Sequence, residues 1–361
     1  MGKSSGVIYT LQFLRLIAAS MVVIGHSWHE AVDLSIATIS NLPRPEWFHF
    51  GGGVDIFFIL SGFVMYLLGR NGFGVAGFSA TFLKRRLQRI VPPYWFFTSL
   101  TLIAMLAFAS RMNHTEIDAA HVVASYLFVP WPDAFDKLQP ILGIGWTLNY
   151  EMFFYVTFSI ALLAPRRIGM PALVVAFTGL AALGQLFDLP ALLKFWCDPI
   201  ILEFLYGAGL AHLYLKGVRW PNAVGAAVAL AGFMVLAYCH SNGWTSGPTR
   251  FMGAGLPALV ITAGFALCPE PKRSPLNNLF RFGGDASYVL YLSHVFTINV
   301  IGLLWQRLHV GGGLIFITLS FVASVVVAAI LHRLIELPAY ELIRGMRPRI
   351  PFLQSAERGS S

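Results

Sequence analysis

Two residues eleven apart in an otherwise apolar stretch, Arg15 and His26 in LRLIAASMVVIGHSWHE, carry the first chemical signal in this chain. A charge in the middle of an apolar helix costs roughly 2.5 kcal/mol or more, so such residues mark either an anchor reaching for the interface or a site. At 100° per residue their spacing makes three turns plus about 20°, which places both side chains on one helix face with a rise of about 16 Å between them. A guanidinium in that position can hold an anion, and an imidazole can accept a proton near neutral pH. The structural alternative is a snorkelling arginine and a histidine bonded to a neighbouring carbonyl.

Further ionisable groups fall in apolar sequence. Asp55 follows three glycines in HFGGGVDIFFILSGF and is expected at the level of His26, where a carboxylate can fix an imidazole's tautomer. An acidic residue in the first turn of a helix explains it equally well. Glu151, in GIGWTLNYEMFFY, is expected at a comparable depth with Trp146, Thr147 and Asn149 beside it. Convergence of His26, Asp55 and Glu151 from three helices predicts a site, serving either acid–base chemistry or proton relay.

Arg85, Arg86 and Arg89 cluster in FLKRRLQRIVPPYW, and Arg85 with Arg89 at i, i+4 is read as one face suited to bidentate phosphate contacts. A positive anchor against anionic headgroups is the alternative. In GDASYVLYLSHVF, Ser287, Tyr291 and His294 form one stripe flanked by Tyr288, a pattern that also serves helix–helix hydrogen bonding. Glu203 in LEFLYGAGLA is expected to pair with a neighbouring helix. Cys197, Cys239 and Cys268 have no ligand or redox spacing and read as small buried apolar residues, and no metal site is expected.

The elements that must hold these groups are membrane helices. The 361 residues are 57% hydrophobic and only 12% charged, far from the balance of a soluble protein. Apolar runs near 11–28, 51–69, 93–110, 146–164, 171–187, 199–215, 222–240, 252–268, 286–305 and 314–334 are each long enough to cross a hydrocarbon core of about 30 Å. An all-α, polytopic bundle of about ten transmembrane helices follows, as one membrane domain over 1–345 with a polar tail over 346–361. The first run ends in HSWHEA without a small-residue cleavage pattern, so it is expected to stay as a helix. With both termini in the cytoplasm, inner segments carry 18 Lys and Arg against 6 in outer segments. Topology therefore accounts for the net charge of +8, and nucleic-acid binding is left without support. Ser79 or Thr81 is expected to cap a helix that stops before Pro92-Pro93. The outer segment 111–145 is expected at the interface or as a re-entrant piece.

Taken in order, these motifs resemble the membrane acyltransferase-3 family, in particular its exopolysaccharide-production acetyltransferases. The resemblance rests on the Arg15–His26 spacing, GGVDIFFILSGF, RRLQRIVPPYW with Tyr94, WTLNYEMFFY, EFLYGAGLA, SYVLYLSH and RLIELPAY. Asn149-Tyr150 stands where most relatives place a second carboxylate, so no role transfers to that position.

The resemblance implies an integral-membrane O-acyltransferase of the bacterial plasma membrane. Acyl-CoA, most simply acetyl-CoA, would be the co-substrate, a carbohydrate or lipid-linked glycan the acceptor, and no cofactor would be tightly bound. Arg15, His26, Asp55 and Glu151 would be catalytic, with His26 as general base or transient acyl carrier. Arg85, Arg86, Arg89 and Tyr94 would hold CoA; Trp146, Asn149, Ser287, Tyr288, Tyr291 and His294 would face the acceptor. A transporter or flippase of a lipid-linked saccharide, using the same charges as a proton relay, is the competing reading, and acylation of a non-sugar acceptor a third.

Overall fold

The computed structural model describes residues 8–34, 42–108, 118–133, 135–272, 274–308 and 311–344. The polar tail expected over 346–361 lies outside them. In chain order the helices are α1 (Tyr9–Asp33), α2 (Gly52–Gly69), α3 (Phe78–Phe108), α4 (Ala119–Tyr126), α5 (Trp146–Ala161), α6 (Arg166–Leu186), α7 (Ala191–Trp196), α8 (Leu202–Leu215), α9 (Asn222–Ser241), α10 (Gly255–Ala266), α11 (Pro275–Asp285), α12 (Ser287–Leu308), α13 (Gly313–Leu331) and α14 (Leu337–Arg344). A short turn, Arg250–Gly253, leads into α10, and a π-helical turn, His332–Glu336, joins α13 to α14. Pro338 lacks the N–H that would bond the Leu334 carbonyl, which gives that turn a local cause.

Among the described residues, eight helical stretches are long and apolar enough to cross a membrane. Two of the ten expected crossings fall short of that length: α5 has 16 residues and α8 has 14. Each is entered through a 3-10 turn, Gly143–Gly145 before α5 and Pro199–Ile201 before α8, which lengthens the helical path. Among the described residues no strand forms, and the polytopic all-helical class stands.

Two local expectations change. The helix does not stop at Pro92-Pro93, because α3 runs through both. The prolines deprive the Gln88 and Arg89 carbonyls of their usual partners, a loss neighbouring helices can offset inside a bundle. At this level the Tyr288 hydroxyl donates to the Ile90 carbonyl at 2.8 Å. Neither Ser79 nor Thr81 caps α3: Ser79 donates to the Ser159 carbonyl of α5, and Thr81 to the carbonyl of Gly77. Beyond the residues left undescribed, the outer segment folds as α4 and a loop tied to α3 by the Tyr94 hydroxyl, which donates to the Ser125 carbonyl at 2.9 Å.

α2 is the axis of the bundle, enclosed by α1, α8 and α10. Glycine permits that enclosure. A Cβ on Gly207 would lie 1.9 Å from the Ile59 carbonyl oxygen, and one on Gly62 would lie 2.0 Å from that of Phe204. α2 and α8 therefore touch backbone to backbone, the close approach that small residues allow between membrane helices. Inserting atoms into a packed core costs about 1–3 kcal/mol even when side chains can give way, and here the obstacle is backbone. Gly207→Leu is expected to lower the thermal unfolding midpoint in detergent sharply, whereas Gly209→Leu, whose Cβ meets nothing within 4 Å, leaves it close to that of the unaltered protein.

Candidate active site

The site is built along α1. Residues of its Arg15 end and of its His26 end line two different cavities, and the same two residues of α2 and α12, Val54 and Tyr291, line both.

The cavity at the Arg15 end is a chamber of about 100 Å³. Arg15, Arg86, Arg89, Glu151, Tyr155 and Tyr288 supply its polar wall. Arg86 reaches it because it lies on the buried stripe of α3 that also holds Phe82, Ile90, Tyr94 and Phe97. Arg85 lies off that stripe and is exposed. The arginine pair facing the chamber is thus Arg86 with Arg89 at i, i+3, in place of the expected Arg85 with Arg89. Tyr94, expected beside the arginines as a ligand, is buried against Phe128 and lines neither cavity.

Glu151 sits in this chamber and not at the level of His26. α5 begins at Trp146, so five residues carry Glu151 about 7.5 Å down the helix from its entrance. There its carboxylate accepts from Ser61 of α2 at 3.0 Å and from Tyr155 one turn below on the same helix. Arg15 and Arg86 both lie within its electrostatic reach. One carboxylate thereby offsets part of the repulsion among three guanidinium groups in a low-dielectric wall.

The cavity at the His26 end is a vestibule of about 1440 Å³, lined by His26, His29, His49, Trp146, His240 and Arg250 among others. His26 opens into it and packs edge to face on His294 of α12, with ring centroids 5.0 Å apart. The Nδ1–H of fully buried His294 points at its own helix, 3.2 Å from the Leu290 carbonyl. That leaves Nε2 as the lone-pair nitrogen, without a hydrogen-bond partner among the described residues.

Asp55 does not serve His26. Its fully buried carboxylate takes a two-pronged pair with Arg250, whose Nε and Nη2 lie 3.2 and 3.1 Å from its oxygens. Arg250 also stands over the Trp146 ring at 5.6 Å and feels Glu203 and Asp198. Glu203, expected to pair with a neighbouring helix, is fully buried, and neither of its carboxylate oxygens has a hydrogen-bond partner among the described residues. Nearby, burial lowers His49 to about 4, with Arg250 and His240 acting in the same direction and Asp55 opposing them.

Of the remaining expected positions, Ser287, Tyr288 and Tyr291 line the chamber, and Trp146 and Tyr291 the vestibule. Asn149 is fully buried and reaches neither cavity. Cys197 and Cys239 are buried free thiols, and Cys268 is half-buried. Among the described residues no cluster could hold a metal ion. Sequence reasoning missed Arg250, Ser61, Tyr155 and Val54. Tyr155 was within reach, being four residues after Glu151 and so on its face.

A multi-pass helical membrane protein with two neighbouring cavities that hold ionisable side chains is the class that this fold and site define. The chain belongs to the acyltransferase family, whose acyltransferase domain matches residues 8–333, and it is therefore an enzyme of acyl transfer. It is 32% identical over 255 residues to the exopolysaccharide production protein ExoZ of Rhizobium meliloti (strain 1021), covering 69% of this chain and 77% of that one. It is 27% identical over 373 residues to nodulation protein 10 of Rhizobium leguminosarum bv. viciae, covering 94% and 95%. It is 26% identical over 333 residues to acyltransferase MdmB of Streptomyces mycarofaciens, covering 82% of each. No solved structure matches the chain significantly.

Two predictions follow from the Asp55–Arg250 pair and its surroundings. Removing one partner of a buried ion pair costs about 3–5 kcal/mol because the other charge is left alone. Asp55→Asn is expected to lower thermal stability in detergent by about that amount, and Arg250→Met added to it to recover part of the loss; a double variant less stable than the single one would contradict the pairing. For His49 the folded value lies below the ordinary 6.5, so its contribution to stability is complete above that pH and falls as pH drops towards about 4. Unfolding midpoints between pH 7 and 4 should fall less steeply for His49→Asn than for the unaltered protein.

Proposed function

We propose that the protein is an O-acyltransferase of the bacterial plasma membrane that moves an acetyl group from acetyl-CoA to a hydroxyl of an exported or lipid-linked carbohydrate. The observation that carries this reading is that Arg15, which lines the chamber together with Arg86 and Arg89 of α3, and His26, which lines the vestibule, both stand on α1, about 16 Å apart by helix rise. The exopolysaccharide production named for ExoZ supports a carbohydrate acceptor. The excess of basic residues on the segments at the Arg15 end supports a cytoplasmic setting for the chamber, where CoA is available, with both termini on that side.

In this reading Arg86 and Arg89 hold CoA phosphates as charged forks, and Arg15 lines the way of the pantetheine arm. Glu151, tied by Ser61 and Tyr155, positions those guanidinium groups and has no part in orienting His26. His294 takes the orienting place beside His26 that Asp55 vacates by pairing with Arg250. The acceptor hydroxyl enters the vestibule and gives its proton to His26 as its oxygen attacks the thioester carbonyl. The C–S bond then breaks, and the imidazolium returns the proton to the departing thiolate, leaving ester, CoA thiol and neutral histidine.

A positioned general base contributes about 10²–10⁴ in rate. His26→Ala is therefore expected to lower acetyl transfer to the polysaccharide fraction of host membranes by at least 10²-fold, with the protein still inserted and acetyl-CoA still bound. Arg86→Ala and Arg89→Ala should chiefly raise KM for acetyl-CoA, and Arg85→Ala should leave it unmoved. Near-normal transfer by the His26 variant, or no binding of acetyl-CoA by the purified protein, would return the buried charges to a transporter's proton relay.

A further inference from the structure

The chamber and the vestibule have two lining residues in common, Val54 and Tyr291. On α1 the boundary falls between Arg15, which lines the chamber, and Val22, which lines the vestibule. Ala18 and Ala19 lie between them, fully buried. Anything that starts among the arginines and ends at His26 has to pass this level.

Both residues are held in place. Val54 sits between two anchored neighbours: a Cβ on Gly53 would lie 2.3 Å from the Ala18 carbonyl oxygen, so α2 is pressed against α1, and Asp55 is clamped by Arg250. Tyr291 has its hydroxyl 2.8 Å from Thr147 Oγ1 and donates to the Ile144 carbonyl at 2.9 Å, both at the entrance of α5. Its ring meets Phe57 edge to face at 6.2 Å. The wall between the two cavities is thus formed by β-branched and aromatic side chains on fixed backbone, and close-packed interiors of this kind do not deform continuously. The chamber has a volume of about 100 Å³, against roughly 10–15 Å³ for one water.

Building on the acyl-CoA reading, we propose that Val54 and Tyr291 form a partition whose aperture selects the acyl group by size, admitting acetyl and holding back longer chains. The selection is steric and falls on the donor before any chemistry at His26. One methylene is worth a factor of about 10 to 200 in a well-fitted apolar pocket, so a two-residue aperture suffices to separate short acyl groups.

The test uses membranes containing the full-length protein and radiolabelled acetyl-, butyryl- and hexanoyl-CoA, counting label in the polysaccharide fraction. The readout is the hexanoyl-to-acetyl ratio, which is independent of how much of each variant folds. Val54→Ala is expected to raise that ratio by about tenfold, in keeping with the worth of methylene-sized space. Tyr291→Phe, which frees the ring from Thr147 and Ile144, should raise it in the same direction by less, and Val54→Ile should lower the butyryl-to-acetyl ratio. Ratios that stay unchanged in all three variants, with the unaltered protein transferring acetyl, would overturn the partition alone. No label from any acyl-CoA with the unaltered protein would overturn the donor reading and the partition with it.

Discussion

Charge taken out of water into an apolar bundle has to be matched inside the bundle, and the arrangement of this protein follows from how that is done. Three arginines face one chamber, and a single carboxylate, Glu151, stands among them with Ser61 and Tyr155 holding it. A separate carboxylate, Asp55, is matched by Arg250. In a low dielectric each of these pairings is strong and each unpaired partner is costly, so the two sets of charges stay apart and fix the helices that carry them.

Backbone contact supplies the complementary constraint. Gly62 and Gly207 bring α2 and α8 together, and Gly53 brings α2 onto α1. The residues that matter for chemistry on α2 sit between these contacts: Val54 and Asp55 just after Gly53, and Ser61 just before Gly62. Small residues thus locate polar and size-determining neighbours to within a fraction of a helical turn. The same contacts explain how a short helix such as α8 remains in the bundle, since its backbone is held by α2 over most of its length.

The residue types were legible in the sequence, while their partners were not. Arg15, His26, Asp55 and Glu151 stand out as ionisable groups in apolar runs, because the energetic penalty is visible from composition alone. Their depth is a different matter. Glu151 was expected beside His26, and a single turn and a half from the entrance of α5 carries it to the arginines. Asp55 was expected to serve the same histidine, but its partner lies 195 residues further along the chain. Local spacing gives angle and rise within one helix and nothing about which face meets which neighbour. For α3 the face could have been read better: Phe82, Ile90, Tyr94 and Phe97 define a buried stripe that includes Arg86 and leaves Arg85 outside.

By itself the sequence determined an all-helical, polytopic membrane protein, the Arg15–His26 face of α1 and the resemblance to a family of membrane acyltransferases. Those follow from hydrophobic length, helical periodicity and motif order, which are properties of contiguous residues. Only the tertiary structure decided that Glu151 belongs to the arginines, that Asp55 belongs to Arg250, that His294 stands beside His26, and that Val54 and Tyr291 line both cavities. These are contacts between helices distant in sequence, set by backbone approach at glycine and by the need to neutralise buried charge, and neither is encoded in any single stretch of the chain.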